Sequence, residues 1–221
     1  RFYKDWYRPD LMAVVVVGDI EPSKAEEMVK KHFSGLTNPA NPRKREYANV
    51  PPYTSNDAII VTDKEATNYF VAINYPAFKQ EQATTIGSYR GYLVKQIYTT
   101  LLNQRLQELT QKQNPPFVFG QASFDSYARG YGAFGAMASA GTGDSKKALE
   151  ALVEEIERVK RYGFTAAELE RTKKTMLANL ERAYNNRDKT ESDNFVDEYV
   201  NNFLDQEPIP GIEKEFSYAK E

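Results

Sequence analysis

One histidine and no cysteine stand in this sequence, and those two counts remove most metal and nucleophile chemistry at once. Disulfides, thiolate zinc sites and a cysteine nucleophile are excluded. His32 has Leu36 four residues on, where a second histidine would complete metal-ligand spacing. A Ser-His-Asp triad would need this same residue, which falls on an amphipathic helical stretch rather than in a site-forming loop. His32 therefore reads as a residue that packs at a helix boundary. The sequence contains no H-E-x-x-H or H-x-x-E-H, no nucleophile elbow, no P-loop and no dinucleotide-binding glycine motif. Glu154, Glu155, Glu168 and Glu170 read as solvated helix faces, because no spacing gathers two carboxylates into a pocket.

The bulk properties narrow the field further. The chain has 221 residues, 41% of them hydrophobic, which is enough for one large domain or two small ones. A net charge of -2 gives no global electrostatic case for binding nucleic acid. No apolar run approaches membrane-spanning length, so no membrane insertion is expected. The sequence opens at Arg1 with neither Met nor a signal peptide, which leaves periplasm and cytoplasm both open.

The elements that must position any site follow from periodicity. Residues 11–17 are an unbroken apolar run, β-branched in its second half, and predict a strand buried on both faces. Pro22 suits a first-turn position, and Ser23 with Glu26 has capping-box spacing. Ala25, Met28, Val29, Phe33 and Leu36 then recur at helical spacing. This strand-helix piece, residues 1–36, is too short to be a domain, so the chain is expected to begin inside a larger protein. Residues 37–57 carry Pro39, Pro42, Pro51 and Pro52 around the basic Arg43-Lys44-Arg45 and predict an extended, solvated linker.

Residues 58–62 and 69–75 predict two strands paired as a hairpin. A long helix is predicted over 82–111, where Gly87 and Gly91 on one face imply a close backbone approach. Residues 117–126 and 131–140 predict a second strand pair. The latter is rich in Gly and Ala, which lets a helix pack closely or, alternatively, forms a groove wall. Helices follow, with Asp144 as a cap, Gly163 as a C-terminal stop and Thr165 with Glu168 at capping-box spacing. A further helix is expected from about Thr190, and a last one, left short by the chain end, from Ile212. Strands in pairs with helices clustered later predict an α+β fold, a two-layer sandwich with a mostly antiparallel sheet and helices packed on one face.

The opening stretch F-Y-K-D-W-Y-R-P-D-L-M-A-V-V-V-V-G-D-I, residues 2–20, resembles the segment that follows the metal-binding domain in pitrilysin/insulinase-type zinc metallopeptidases. L-L-N-Q-R-L-Q-E-L at 101–109 resembles the end of the long helix in that family's repeated domain. G-F-T-A-A-E-L-E-R-T-K-K-T-M-L-A-N-L at 163–180 resembles its late helix pair. The resemblance implies a protein built from repeated α+β domains around a chamber. Two histidines and a downstream glutamate would hold zinc there, and a glutamate base would activate the zinc-bound water. Unstructured peptide would be held by strand addition to a sheet edge.

None of the zinc ligands maps onto this chain, so the zinc is expected in the parent protein, outside these residues. On this reading residues 1–36 end the metal-binding domain, and residues 58–221 form a non-catalytic domain truncated at its C-terminus. Arg105 falls where the resemblance would place a substrate-binding arginine, and is the candidate for that role. The tyrosine that would accompany it has no counterpart, since Asn114-Pro115-Pro116-Phe117 occupies the region. A cap-like or surface arginine is the competing reading.

The expected function is the non-catalytic, substrate-chamber-forming region of a zinc endopeptidase, inactive by itself. Its partners would be peptide substrate, reached through the parent, and neighbouring domains of the same chain. The alternative is an inactive family member acting as an assembly scaffold or a peptide-binding module.

Overall fold

The period-2 pattern of residues 117–141 is the starting point for the fold, because its small even-numbered residues are what the helices pack on. A computed structural model describes residues 2–47, 49–81 and 84–221. In it β3 (Phe119–Ala128) and β4 (Tyr131–Gly141) form an antiparallel hairpin that turns at Gly130, φ 78°. β1 (Tyr69–Asn74) pairs with the other side of β4, and the two-residue β2 (Phe78–Lys79) pairs beside it with Gly132 and Tyr131. All four strands are therefore antiparallel, with β4 central. Register sets Val71 beside Ala138 and Ala122 beside Ala136, all on one face.

Two helices cover that face. α3 (Ile86–Thr110) starts in a capping box made by Thr85 and Ser88, and packs across β3. α4 (Ser145–Tyr162) starts where the Asp144 carboxylate accepts from the backbone N–H groups of Lys146 and Lys147, and packs across β4 and β1. Leu102 and Leu106 of α3, Leu152 and Ile156 of α4, Phe117 and the alanines of β4 form the buried core. Each buried leucine contributes about 2 kcal/mol relative to exposure. This is the expected α+β sandwich, helices on one face of an antiparallel sheet.

The chain divides into two compact units. Residues 49–179 hold the sheet, α3, α4 and most of α5 (Ala166–Asn185). Residues up to 48 together with 180–219 form the other. The latter contains α1 (Phe2–Trp6), a 3-10 turn at Pro9–Leu11, α2 (Pro22–Phe33), a second 3-10 turn at Arg187–Lys189, α6 (Ser192–Asp205) and α7 (Ile212–Ala219). Within it the Tyr184 ring stacks on Phe216, with centroids 5.4 Å apart, and Arg187 pairs with Glu213 at 3.2 Å.

Four local expectations give way to the structure. Residues 58–62 form no strand and pair with nothing; β1 takes β4 as its neighbour instead. Residues 11–17 likewise lie outside the sheet, with Met12, Val14 and Val16 exposed. An apolar run marks a segment as strand-forming but says nothing of its partner, and β1 finds its own in β4, far along the sequence. Ser23 makes no cap: Glu21 is the N-cap residue of α2, Pro22 leads the first turn, and Glu26 pairs with Lys30 one turn on. Gly91 has open space where a Cβ would stand, and Gly87 meets only the Thr85 hydroxyl at 3.8 Å, so neither marks a close approach.

The tight glycine is Gly120. A Cβ there would stand 2.7 Å from the ring of Phe117, which is itself fully buried. Gly120→Ala is expected to cost about 1–3 kcal/mol in urea unfolding, the usual range for overpacking.

Candidate functional site

Arg105 is the residue the sequence offered, and its surroundings fix what it can do. It lies in the last third of α3, facing the short connection between α4 and α5. That connection reverses at Gly163, whose φ of 66° and ψ of -156° belong to a region open essentially only to glycine. Thr165 then caps α5. Its backbone N–H donates to the Glu168 carboxylate at 2.7 Å, and its hydroxyl accepts from the Glu168 N–H at 3.3 Å. The capping box thus sets the Glu168 side chain at the entrance to α5.

The Arg105 guanidinium closes on this entrance. Nε donates to Glu168 Oε1 at 2.8 Å and Nη2 to Glu168 Oε2 at 3.0 Å, a two-pronged pairing. Nη1 donates to Glu155 Oε1 on α4 at 3.2 Å, and Nη2 also reaches the Gly163 carbonyl at 3.3 Å. The guanidinium carbon lies 4.9 Å from the centre of the Phe164 ring. Glu155, only 5% exposed, takes a second cation from Arg158 at 3.5 Å. Of the five N–H donors an arginine carries, four are committed to the protein. The arrangement ties α3, α4 and the start of α5 together; it leaves no free fork for a substrate carbonyl.

Sequence reading missed this cluster. It treated Glu155 and Glu168 as solvated faces, yet both converge on Arg105. The one available signal was the Thr165–Glu168 spacing, which fixes one carboxylate in place but not its partner across the fold.

The electrostatics follow from the contacts. Hydrogen bonding to Arg105 holds the Glu168 carboxyl down at about 2, and the same bonds push Arg105 upward. A carboxyl depressed on folding stabilises the fold fully above its unfolded value of about 4.5, and that contribution is lost as pH falls toward 2. Glu215 acts in the opposite sense, because burial and then the charges of Glu198 and Glu207 push it up. Unfolding followed between pH 5 and 2 is expected to show a steeper acid loss in the wild type than in Arg105→Met.

A second feature concerns the sheet edges. Asn103 on α3 grips the backbone of Ala122 on β3. Its Oδ1 accepts from the Ala122 N–H at 2.7 Å, and its Nδ2 donates to the Ala122 carbonyl at 3.0 Å. A side-chain amide therefore does at mid-strand what another strand would do, and closes the outer edge of β3 at that point. The outer edge of β1 carries no strand among the described residues. An open depression of about 630 Å³ lies beside Asn103, lined also by Thr100, Gln104, Gln107, Glu108 and Arg171.

His32 sits exposed in the last turn of α2. Among the described residues no group of three or more His, Asp or Glu side chains could hold a metal ion, and no helix is long and apolar enough to cross a membrane.

The structure is thus an α+β sandwich whose sequence contains no H-x-x-E-H motif. Residues 1–176 match the family model described as the Peptidase M16 inactive domain, and the chain belongs to that family. The chain is 27% identical over 221 residues to a protein named zinc protease PQQL-like of Arabidopsis thaliana, covering all of this chain and 20% of that protein. It is 27% identical over 224 residues to the probable zinc protease PqqL of Escherichia coli K12, covering 24% of it. The crystal structure of the periplasmic protease PqqL from Escherichia coli superposes with a TM-score of 0.79 at 25% identity, over 99% of this chain and 24% of that one. The ferredoxin protease FusC, solved as an E83A mutant with Arabidopsis ferredoxin, shares the fold at a TM-score of 0.71 and 22% identity, again over 99% of this chain and 24% of that one. The chain thus spans a fifth to a quarter of these relatives' lengths and matches a domain described as inactive.

Proposed function

We propose that this chain is a chamber-forming region of a longer zinc endopeptidase that hydrolyses peptides. The zinc and its ligands lie in other residues of that polypeptide. Residues 1–36 end the metal-binding domain, residues 37–57 link it onward, and residues 58–221 are the non-catalytic domain. Arg105 belongs to the framework of that domain rather than to the substrate.

The observation that carries this reading is the bare face of the sheet. α3 and α4 lie on one side. The other side presents Ala72, Asn74, Gln121, Ser123, Gly135 and Met137 along its middle, with the exposed rings of Phe70 and Phe119 flanking Ser139 at one end. Such a face, small and polar along its middle, suits a wall along which an unfolded peptide passes. The outer edge of β1 offers the backbone groups for strand addition, while Asn103 closes β3 to it.

Met137, partly exposed at the centre of that face, is the residue to test. Met137→Trp in the longer polypeptide is expected to raise KM for peptides of some twenty residues several-fold, with zinc content and cleavage of very short peptides unchanged. Equal KM values for long and short peptides in both proteins would remove the wall from the account.

A further inference from the structure

The most exposed large apolar side chains of the molecule are consecutive: Ile59 is 86% exposed, Ile60 89% and Val61 87%. Three β-branched residues in a row, all in water, cost the chain free energy that a fold normally recovers by burial. Their flanks are ordered. Asp57 Oδ1 accepts from the Ala58 N–H at 2.8 Å. A turn follows, with the Ala66 N–H donating to the Asp63 carbonyl at 3.3 Å and the Glu65 N–H to Asp63 Oδ1 at 2.7 Å. The segment is held up to water between built ends.

The nearest acceptor would be the outer edge of β1, reached by folding back across that turn. A hairpin of this length would set Ile60 beside Val71 and Ala58 beside Ile73, on the helix-covered face. Strand side chains alternate, so Ile59 and Val61 would then point to the bare face, beside Ala72 and the exposed Phe70, with no helix over either. Folding back accounts for one face of the run and leaves the other exposed. A run apolar on both faces suits a strand inside a sheet that is covered on both sides.

We infer that residues 58–62 are a donated strand, which completes a β-sheet belonging to the part of the longer polypeptide outside residues 1–221. The inference rests on the chamber reading for the existence of that polypeptide, which the relatives support, since this chain covers only 20–24% of them. The acceptor is a sheet edge with apolar cover above and below it. Donation of this kind fixes the position of the neighbouring domain through backbone hydrogen bonds as well as side-chain burial.

Amide hydrogen exchange at residues 58–62 tests this, in the 221-residue chain and in the longer polypeptide. The shorter chain is expected to exchange these amides near the unfolded rate at every concentration. The longer one should protect them by a hundredfold or more. Ile59→Asp and Ile60→Asp, made separately in the longer polypeptide, should each reduce that protection at least tenfold, because the two side chains face opposite ways.

Protection in the short chain at low concentration would overturn the inference in favour of folding back on β1. Protection that grows with concentration, together with a dimer in sedimentation, would overturn it in favour of a second copy. An effect of only one of the two aspartates would contradict a strand buried on both faces. A longer polypeptide that protects these amides yet lacks zinc and peptide cleavage would sustain the donated strand and remove the peptidase reading. Cleavage without protection would do the reverse.

Discussion

Arg105→Met should lower the free energy of unfolding by about 3 kcal/mol in urea denaturation, a figure typical of removing one partner from a buried charge cluster. The cost lies less in the attraction lost than in what stays behind. Glu155 is 5% exposed and keeps only Arg158, a side chain largely in water and 3.5 Å away. Glu168 loses both prongs of its pairing and retains the Thr165 contacts of its own capping box. The Gly163 carbonyl loses a donor at the tightest point between α4 and α5. Arg105→Lys should recover less than half the loss, since a single ammonium cannot reproduce four donors aimed in one plane. If lysine restored full stability, the cluster would be a simple charge pair. If methionine cost nothing, the arginine would be free after all and its candidacy for substrate would revive.

A loss of comparable size is expected at Asn103. Asn103→Leu keeps the volume of the side chain but strips both partners from the Ala122 backbone, in a residue 1% exposed. Each buried backbone group left unpaired costs about 1–3 kcal/mol, so the expected total is about 3 kcal/mol by the same denaturation assay. Asn103→Asp separates the two bonds: it can still accept from the N–H but sets a carboxylate against the carbonyl, and should fall between wild type and leucine. The leucine variant also opens the β3 edge, so its exposed strand should make the protein aggregate more readily on mild warming. A leucine variant as stable as wild type would mean that water serves Ala122 as well as the amide does.

Local grammar was readable in the sequence. Asp144, Gly163 and the Thr165–Glu168 pair each work through neighbours two to four residues away, and each stands where spacing placed it. The α+β layering was readable because strands come in pairs and helices cluster after them. Partners were not. Arg105 meets Glu155 and Glu168 at separations of 50 and 63 residues, and no local pattern encodes that meeting. Residues 58–62 look like a strand and are one only if something accepts them. The candidate role at Arg105 came from resemblance to a family, and resemblance assigns a position without its contacts; the packing of α3 against α4 and α5 supplies those.

Zinc content and cleavage of an unstructured peptide, measured on this chain and on the longer polypeptide in parallel, test the central claim most directly. No bound zinc and no cleavage are expected from the 221-residue chain, and one zinc with chelator-sensitive cleavage from the longer one. Stoichiometric zinc and cleavage in the short chain would contradict that, because one exposed histidine, with no metal-binding group gathered among the described residues, cannot build that site. A longer polypeptide without either would contradict the peptidase reading and leave an assembly scaffold in its place.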